Sequence, residues 1–141
     1  MFLNNYTSIL ELMIYEIYPI IEAEKDNLES LNEDVNIFIS RTEEKNIQLN
    51  IHFKTKRYEL LFQRGNTADI KTNRIIKKDS HINVYLHTAK HSVLKEYVIY
   101  FDDGKWFYKK IIYRGSTTIH ELTNETIRNI IKQFIDETDL F

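Results

Sequence analysis

At 141 residues the chain has room for one domain, 1–141, and a chain of that length builds a core without covalent staples. It has no cysteine, which excludes disulfides, thiolate metal sites and cysteine nucleophiles. The net charge of −2 is uneven: residues 1–45 carry ten acidic and three basic side chains, residues 46–114 six acidic and fourteen basic, and residues 115–141 five acidic and two basic.

A 43% hydrophobic and 28% charged composition is that of a folded chain. The 3 glycines and 1 proline leave little material for a phosphate-cradling loop or a flexible linker. Abundant Ile, Asn, Lys, Tyr and Glu with scarce Ala, Gly and Pro point to an AT-rich genome, hence a low-GC bacterium or one of its phages or mobile elements. The first twenty residues lack a basic start and are interrupted by Glu11 and Glu16. That pattern predicts neither a signal peptide nor a membrane span, and so a cytoplasmic protein.

In chain order, residues 8–31 read as a helix. Ser8 and Glu11 form a capping box, and Leu10, Met13, Ile14, Ile17, Ile21, Leu28 and Leu31 recur at helical spacing. Pro19 falls inside it, where the missing N–H and the ring predict a kink or a break. The acidic positions Glu11, Glu16, Glu22, Glu29 and Glu33 suit a wet face and disfavour docking on an anionic membrane.

From Val35 the period changes to two. Val35, Ile37 and Ile39 alternate with polar neighbours, and after a polar turn at 42–45 Ile47, Leu49, Ile51 and Phe53 alternate with Gln48, Asn50 and His52. These are strands with one buried and one wet side. Tyr58–Phe62 makes a further strand, stopped at Arg64-Gly65-Asn66. Residues 66–80 read as a loop, with a short strand at Arg74–Lys77. Ile82, Val84 and Leu86 mark the next strand. Asp103-Gly104 lies between two β-rich runs in 94–114 and suits the positive φ of a tight hairpin turn. Thr123 caps a last helix whose stripe is Ile127, Ile130, Ile131, Phe134 and Ile135. The prediction is α+β: an N-terminal kinked helix, a meander-like antiparallel sheet of five to six strands, and a C-terminal helix.

The hairpin turn fixes a register in which 101 opposes 106, 99 opposes 108 and 97 opposes 110. One face then carries Tyr97, Ile99, Phe101, Trp106, Tyr108 and Lys110. The other carries Leu94, Val98, Tyr100, Phe107, Ile111 and Tyr113. Both are too apolar to stand in water. Helices on opposite sides, a second copy of the chain, or another partner would cover them. Of the two, the expected open face is that of Trp106, because Lys110 and Arg114 follow it at period two.

Catalytic signatures are weak. His87 and His91 are four apart but flank a predicted turn, so no metal site is expected. Asp102 and Asp103 are explained by turn chemistry. Asp34 with Glu43 and Lys45 faintly matches the carboxylate set of metal-dependent nucleases, but Glu43 and Lys45 fall on a turn. No P-loop, dinucleotide fingerprint or nucleophile elbow is present, and no cofactor is expected. The reading is a non-enzymatic protein-binding module, such as an inhibitor, an antitoxin-like or immunity-like protein, or an adaptor. Tyr97, Phe101, Trp106, Tyr108, Lys110 and Arg114 are its contact candidates. The alternative is a nucleic-acid or nucleotide binder that holds phosphates with Lys54, Lys56, Arg57, Arg64, Lys71, Arg74, Lys77 and Lys78.

Overall fold

A computed structural model describes residues 6–41, 46–54, 56–87, 93–112, 115 and 117–138. The first helix is capped by Ser8 as predicted, the Ser8 Oγ accepting from the Glu11 N–H at 3.2 Å, while the Glu11 carboxylate accepts from the Ser8 hydroxyl at 3.1 Å rather than from the Ser8 N–H of a full capping box. It runs as α1 (Ile9–Leu12), a π-helical turn (Met13–Ile17) and α2 (Tyr18–Glu29). The predicted discontinuity at Pro19 takes the form of this π turn. The Tyr18 N–H reaches back five residues to the Met13 carbonyl, and the widened turn immediately precedes the proline, whose ring would otherwise crowd the preceding turn.

Seven strands follow in strict meander order, every neighbouring pair antiparallel: β1 (Asn36–Arg41), β2 (Ile47–Phe53), β3 (Lys56–Ala68), β4 (Ile75–His87), β5 (Val93–Asp102), β6 (Lys105–Lys110) and β7 (Ile119–Glu121). The class is the predicted α+β, with more strands than expected. The added strand is β7, three residues long and too short to alternate visibly. The expected short strand at Arg74–Lys77 and the strand at Ile82–Leu86 are one long β4, and β3 runs past Gly65. The β5–β6 register is the predicted one, with Phe101 opposite Trp106, Ile99 opposite Tyr108 and Tyr97 opposite Lys110. Asp103 and Gly104 take φ values of 48° and 76°, as a tight hairpin turn demands. The last helix, α3 (Asn124–Thr138), is capped by Thr123, whose Oγ1 accepts from the Thr126 N–H at 3.2 Å.

The helices pack on one face of the sheet. Ile37, Leu49, Leu60, Phe62, Val84, Ile99 and Trp106 from the strands share one core with Leu12, Met13, Ile17 and Ile21 of the first helix and with Ile127, Ile130, Ile131 and Phe134 of α3. Trp106 is 2% exposed, and its indole N–H donates to the Tyr6 carbonyl at 2.8 Å, joining the start of the helical layer to the last hairpin. The Arg41 guanidinium lies 3.2 Å from the centre of the Tyr18 ring, which fastens the end of β1 to α2.

Trp106→Ala is expected to lower unfolding free energy by about 3–5 kcal/mol, since it removes the largest core side chain and leaves the Tyr6 carbonyl unpaired. Urea denaturation checks this, and a loss near zero would contradict the placement of the indole in the core.

Candidate binding surfaces

Side chains alternate across a sheet, so covering one face leaves the other to solvent or to a partner. The open face is read from the register. One row runs Phe38, Asn50, Glu59, His87; the next runs Ser40, Gln48, Leu61, Tyr85, Glu96; then Gln63, Asn83, Val98, Lys109, Ile119; then Gly65, His81, Tyr100, Phe107, Glu121. Leu61, Tyr85, Val98, Tyr100 and Phe107 are half-buried by their neighbours. Phe38 is 50% exposed at the β1 edge. The Tyr100 and Phe107 rings stack 5.8 Å apart across β5 and β6.

This corrects the expectation about the hairpin. The face with Trp106 is the one that the helices cover. Trp106 and Tyr97 belong to the core, Phe101 and Tyr108 are packed against it, and Lys110 is exposed at the sheet's far end. Arg114 and Tyr113 lie outside the described residues, as do Glu43, Lys45 and His91. The hairpin alone does not discriminate between its faces, because both are apolar. The discriminating signal sits three strands away: β2 alternates Ile47, Leu49 and Ile51 with Gln48, Asn50 and His52. Following the register outward from β2 puts Val84, Tyr97 and Trp106 on the apolar side.

The long β3–β4 hairpin supplies a second feature. Beyond Gly65 and before His81 its strands pair, among the described residues, only with each other, since β2 stops pairing at Phe62 and β5 pairing begins at His81. Residues 66–80 therefore form an arm projecting past the sheet. Its tip is closed by hydrogen bonds from the Asp69 N–H to the Arg74 carbonyl at 2.8 Å and from the Asn73 N–H to the Asp69 carbonyl at 2.9 Å. The arm exposes Ile70 (97%), Ile76 (70%) and Ile75 (58%) beside the exposed Lys71, Arg74, Lys77 and Lys78.

The base of the arm is locked. Asn66 alone opposes Lys78, Asp79 and Ser80, and this bulge puts Asp79 at φ 51°. Asp79 is held by Arg64, whose Nη1 donates to its Oδ1 at 2.8 Å, and its N–H donates to Asn66 Oδ1 at 2.8 Å. The Arg64 N–H donates to Oδ1 of the buried Asn46 at 2.9 Å. Beside the bulge the His81 ring lies on Gly65 and leaves no room for a Cβ there. Ser80 Oγ sits 2.7 Å from His81 Nδ1 and receives a hydrogen bond from Thr67 Oγ1 at 2.8 Å. These groups and Lys109 border a shallow depression of about 420 Å³ between the arm and Tyr100. The arm and the open face are thus continuous.

The eight cations assigned to phosphate binding do not form one patch. Lys54, Lys56 and Arg57 cluster at the β2–β3 turn, where Arg57 Nη1 donates to the Lys54 and Lys56 carbonyls at 2.6 and 2.9 Å. Lys71, Arg74, Lys77 and Lys78 are on the arm. The two groups lie at opposite ends of β3, about 40 Å apart at 3.3 Å per residue. Arg64 is committed to Asp79. Among the described residues no group of three or more His, Asp or Glu side chains is placed to hold a metal ion, and no helix is long and apolar enough to cross a membrane. No protein-family model matches the chain, and neither the curated proteins nor the solved structures contain a match.

Burial, and secondly the nearby Lys109 charge, hold the His81 imidazole below its ordinary pKa. Burial and Arg57 lower His52 likewise, with Glu59 opposing. Both rings bind protons less tightly folded than unfolded, so stability rises with pH up to about 6.5, the ordinary histidine value. Urea unfolding between about pH 5 and 7 should show this slope. His81→Gln should flatten it, and an unchanged slope would contradict the assignment.

Proposed function

We propose that this chain is a protein-binding module whose contact element is the β3–β4 arm, supported by the adjoining open sheet face. The observation that carries the reading is the company of three exposed isoleucines with four cations on one projecting hairpin. An isoleucine held out in water gains about 1.5–3 kcal/mol when a partner buries it. Nothing in the arm's own packing needs those residues to be apolar. The cations around the tip set the partner's chemistry: an apolar pocket rimmed by carboxylates, approached with electrostatic steering. Such a module acts by occupancy, as an inhibitor or an adaptor does.

Nucleic acid is the second reading, since a two-stranded ribbon fits a DNA major groove and the arm carries four phosphate-pairing side chains. The protein partner is favoured because the acidic helices keep the whole chain at −2, whereas nucleic-acid domains are commonly strongly basic.

The test is capture of the bound species from cell extract, with nuclease treatment, followed by affinity measurement with an arm variant. Ile70→Ser with Ile76→Ser should leave the melting temperature unchanged and weaken binding of a captured protein at least tenfold. Equal affinity for the variant would reject the arm as the contact element. A captured species destroyed by nuclease, with affinity falling steeply between about 50 and 200 mM salt, would replace the protein partner with nucleic acid.

A further inference from the structure

The arm is basic and exposes three isoleucines. The first helix is its opposite in charge: residues 8–34 carry eight carboxylates and one lysine. Ile17, Ile21 and Leu28 are buried toward the sheet, so Glu22, Asp26 and Glu29, each about one helical turn from the next, form an exposed stripe on the outer side. Lys25 offsets one of these charges by pairing with Glu29 at 3.7 Å. Tyr15 (62%) and Leu31 (65%) stand exposed before and after the stripe. The outer face of the helix is thus acidic with apolar side chains at both ends, which is the chemistry the arm asks of a partner.

A chain does not lay its arm on its own stripe. The arm's isoleucines are exposed and its strands continue the sheet, whereas the stripe faces away from the sheet. A second copy supplies the matching surface. Each copy has one arm and one stripe, so two copies related by a two-fold axis make the contact twice and close. Opposite charge steers the encounter and selects which surfaces meet. Burial of the isoleucines beside Tyr15 and Leu31 then holds the pair. Once one arm is seated, the second contact forms within the pair, which strengthens association without a new kind of contact.

We infer that the arm's partner is a second copy of this chain, with the arm of each copy seated on the acidic outer face of the other's first helix. The inference rests on the arm being the contact element and names what it meets. A foreign protein that binds the arm would compete with the second copy.

The test is sedimentation velocity of the whole chain from about 1 to 500 µM, at about 50 and 500 mM sodium chloride. A monomer–dimer equilibrium is expected, at least tenfold weaker at the higher salt. Two charge-swapped variants show which surfaces meet: Lys71→Glu with Lys77→Glu on the arm, and Glu22→Lys with Asp26→Lys on the helix. Each alone should dimerise at least tenfold more weakly than the parent, with the melting temperature at the lowest concentration unchanged. Their equimolar mixture should recover the parental affinity, because each swapped surface then meets its opposite. A chain that stays monomeric at the highest concentration would overturn the self-pairing, and a captured protein still bound through Ile70 and Ile76 would leave the arm's role standing. A dimer indifferent to either swap, or a mixture no stronger than the variants alone, would overturn the pairing of arm with helix.

Discussion

The structure depends on a coverage constraint. A seven-stranded sheet has two faces of equal extent, and the helical segments here lie over only one of them. The bond from the Trp106 indole to the Tyr6 carbonyl joins the layers at the sheet's far end, 100 residues apart in sequence. Burial of Leu49, Phe62, Val84 and Ile99 under the helices then sets the direction of every other side chain, because a strand cannot turn one residue inward without turning its neighbours outward. Tyr85, Tyr100 and Phe107 are left on the open face by that alternation, on the side away from the described helices.

Some of this was legible in the sequence because local chemistry and tertiary demand agreed. Ser8 caps the first helix whatever lies around it, and Asp103-Gly104 supplies positive φ where the hairpin turns. The alternation of β2 separates its two faces without reference to other strands. Other parts were illegible for stated physical reasons. Trp106 sits in a hairpin with two apolar faces, so its side was decided by strands elsewhere in the sheet. Residues 66–80 read as a loop because both sides of the arm meet water and neither is selected to be apolar. Ile119–Glu121 is too short to show a period.

The same constraint organises the charge. The acidic residues of the first helix lie on its wet side, while the central basic residues divide between the two ends of β3 and the edge near β7. A basic middle in the sequence is thus dispersed in space, and its described cations form no single patch. On the arm the cations stand beside exposed apolar side chains. Near β7, Lys95 and Lys110 line a cleft together with Tyr97, Tyr108 and Gln133. Of the contact candidates read from the sequence, Tyr97, Tyr108 and Lys110 come together in that cleft, whereas Trp106 and Phe101 serve the fold.

Because the chain has no native cysteine, the central claim, that only one face of the sheet is covered, is open to direct chemical test. Ile99 and Tyr100 are adjacent on β5 and point to opposite faces. The decisive measurement is the thiol-labelling rate of Ile99→Cys and Tyr100→Cys in the folded protein at low concentration. The account predicts rapid labelling at position 100 and labelling at position 99 only as fast as the chain unfolds. Protection at both positions, or rapid labelling at 99, would contradict it.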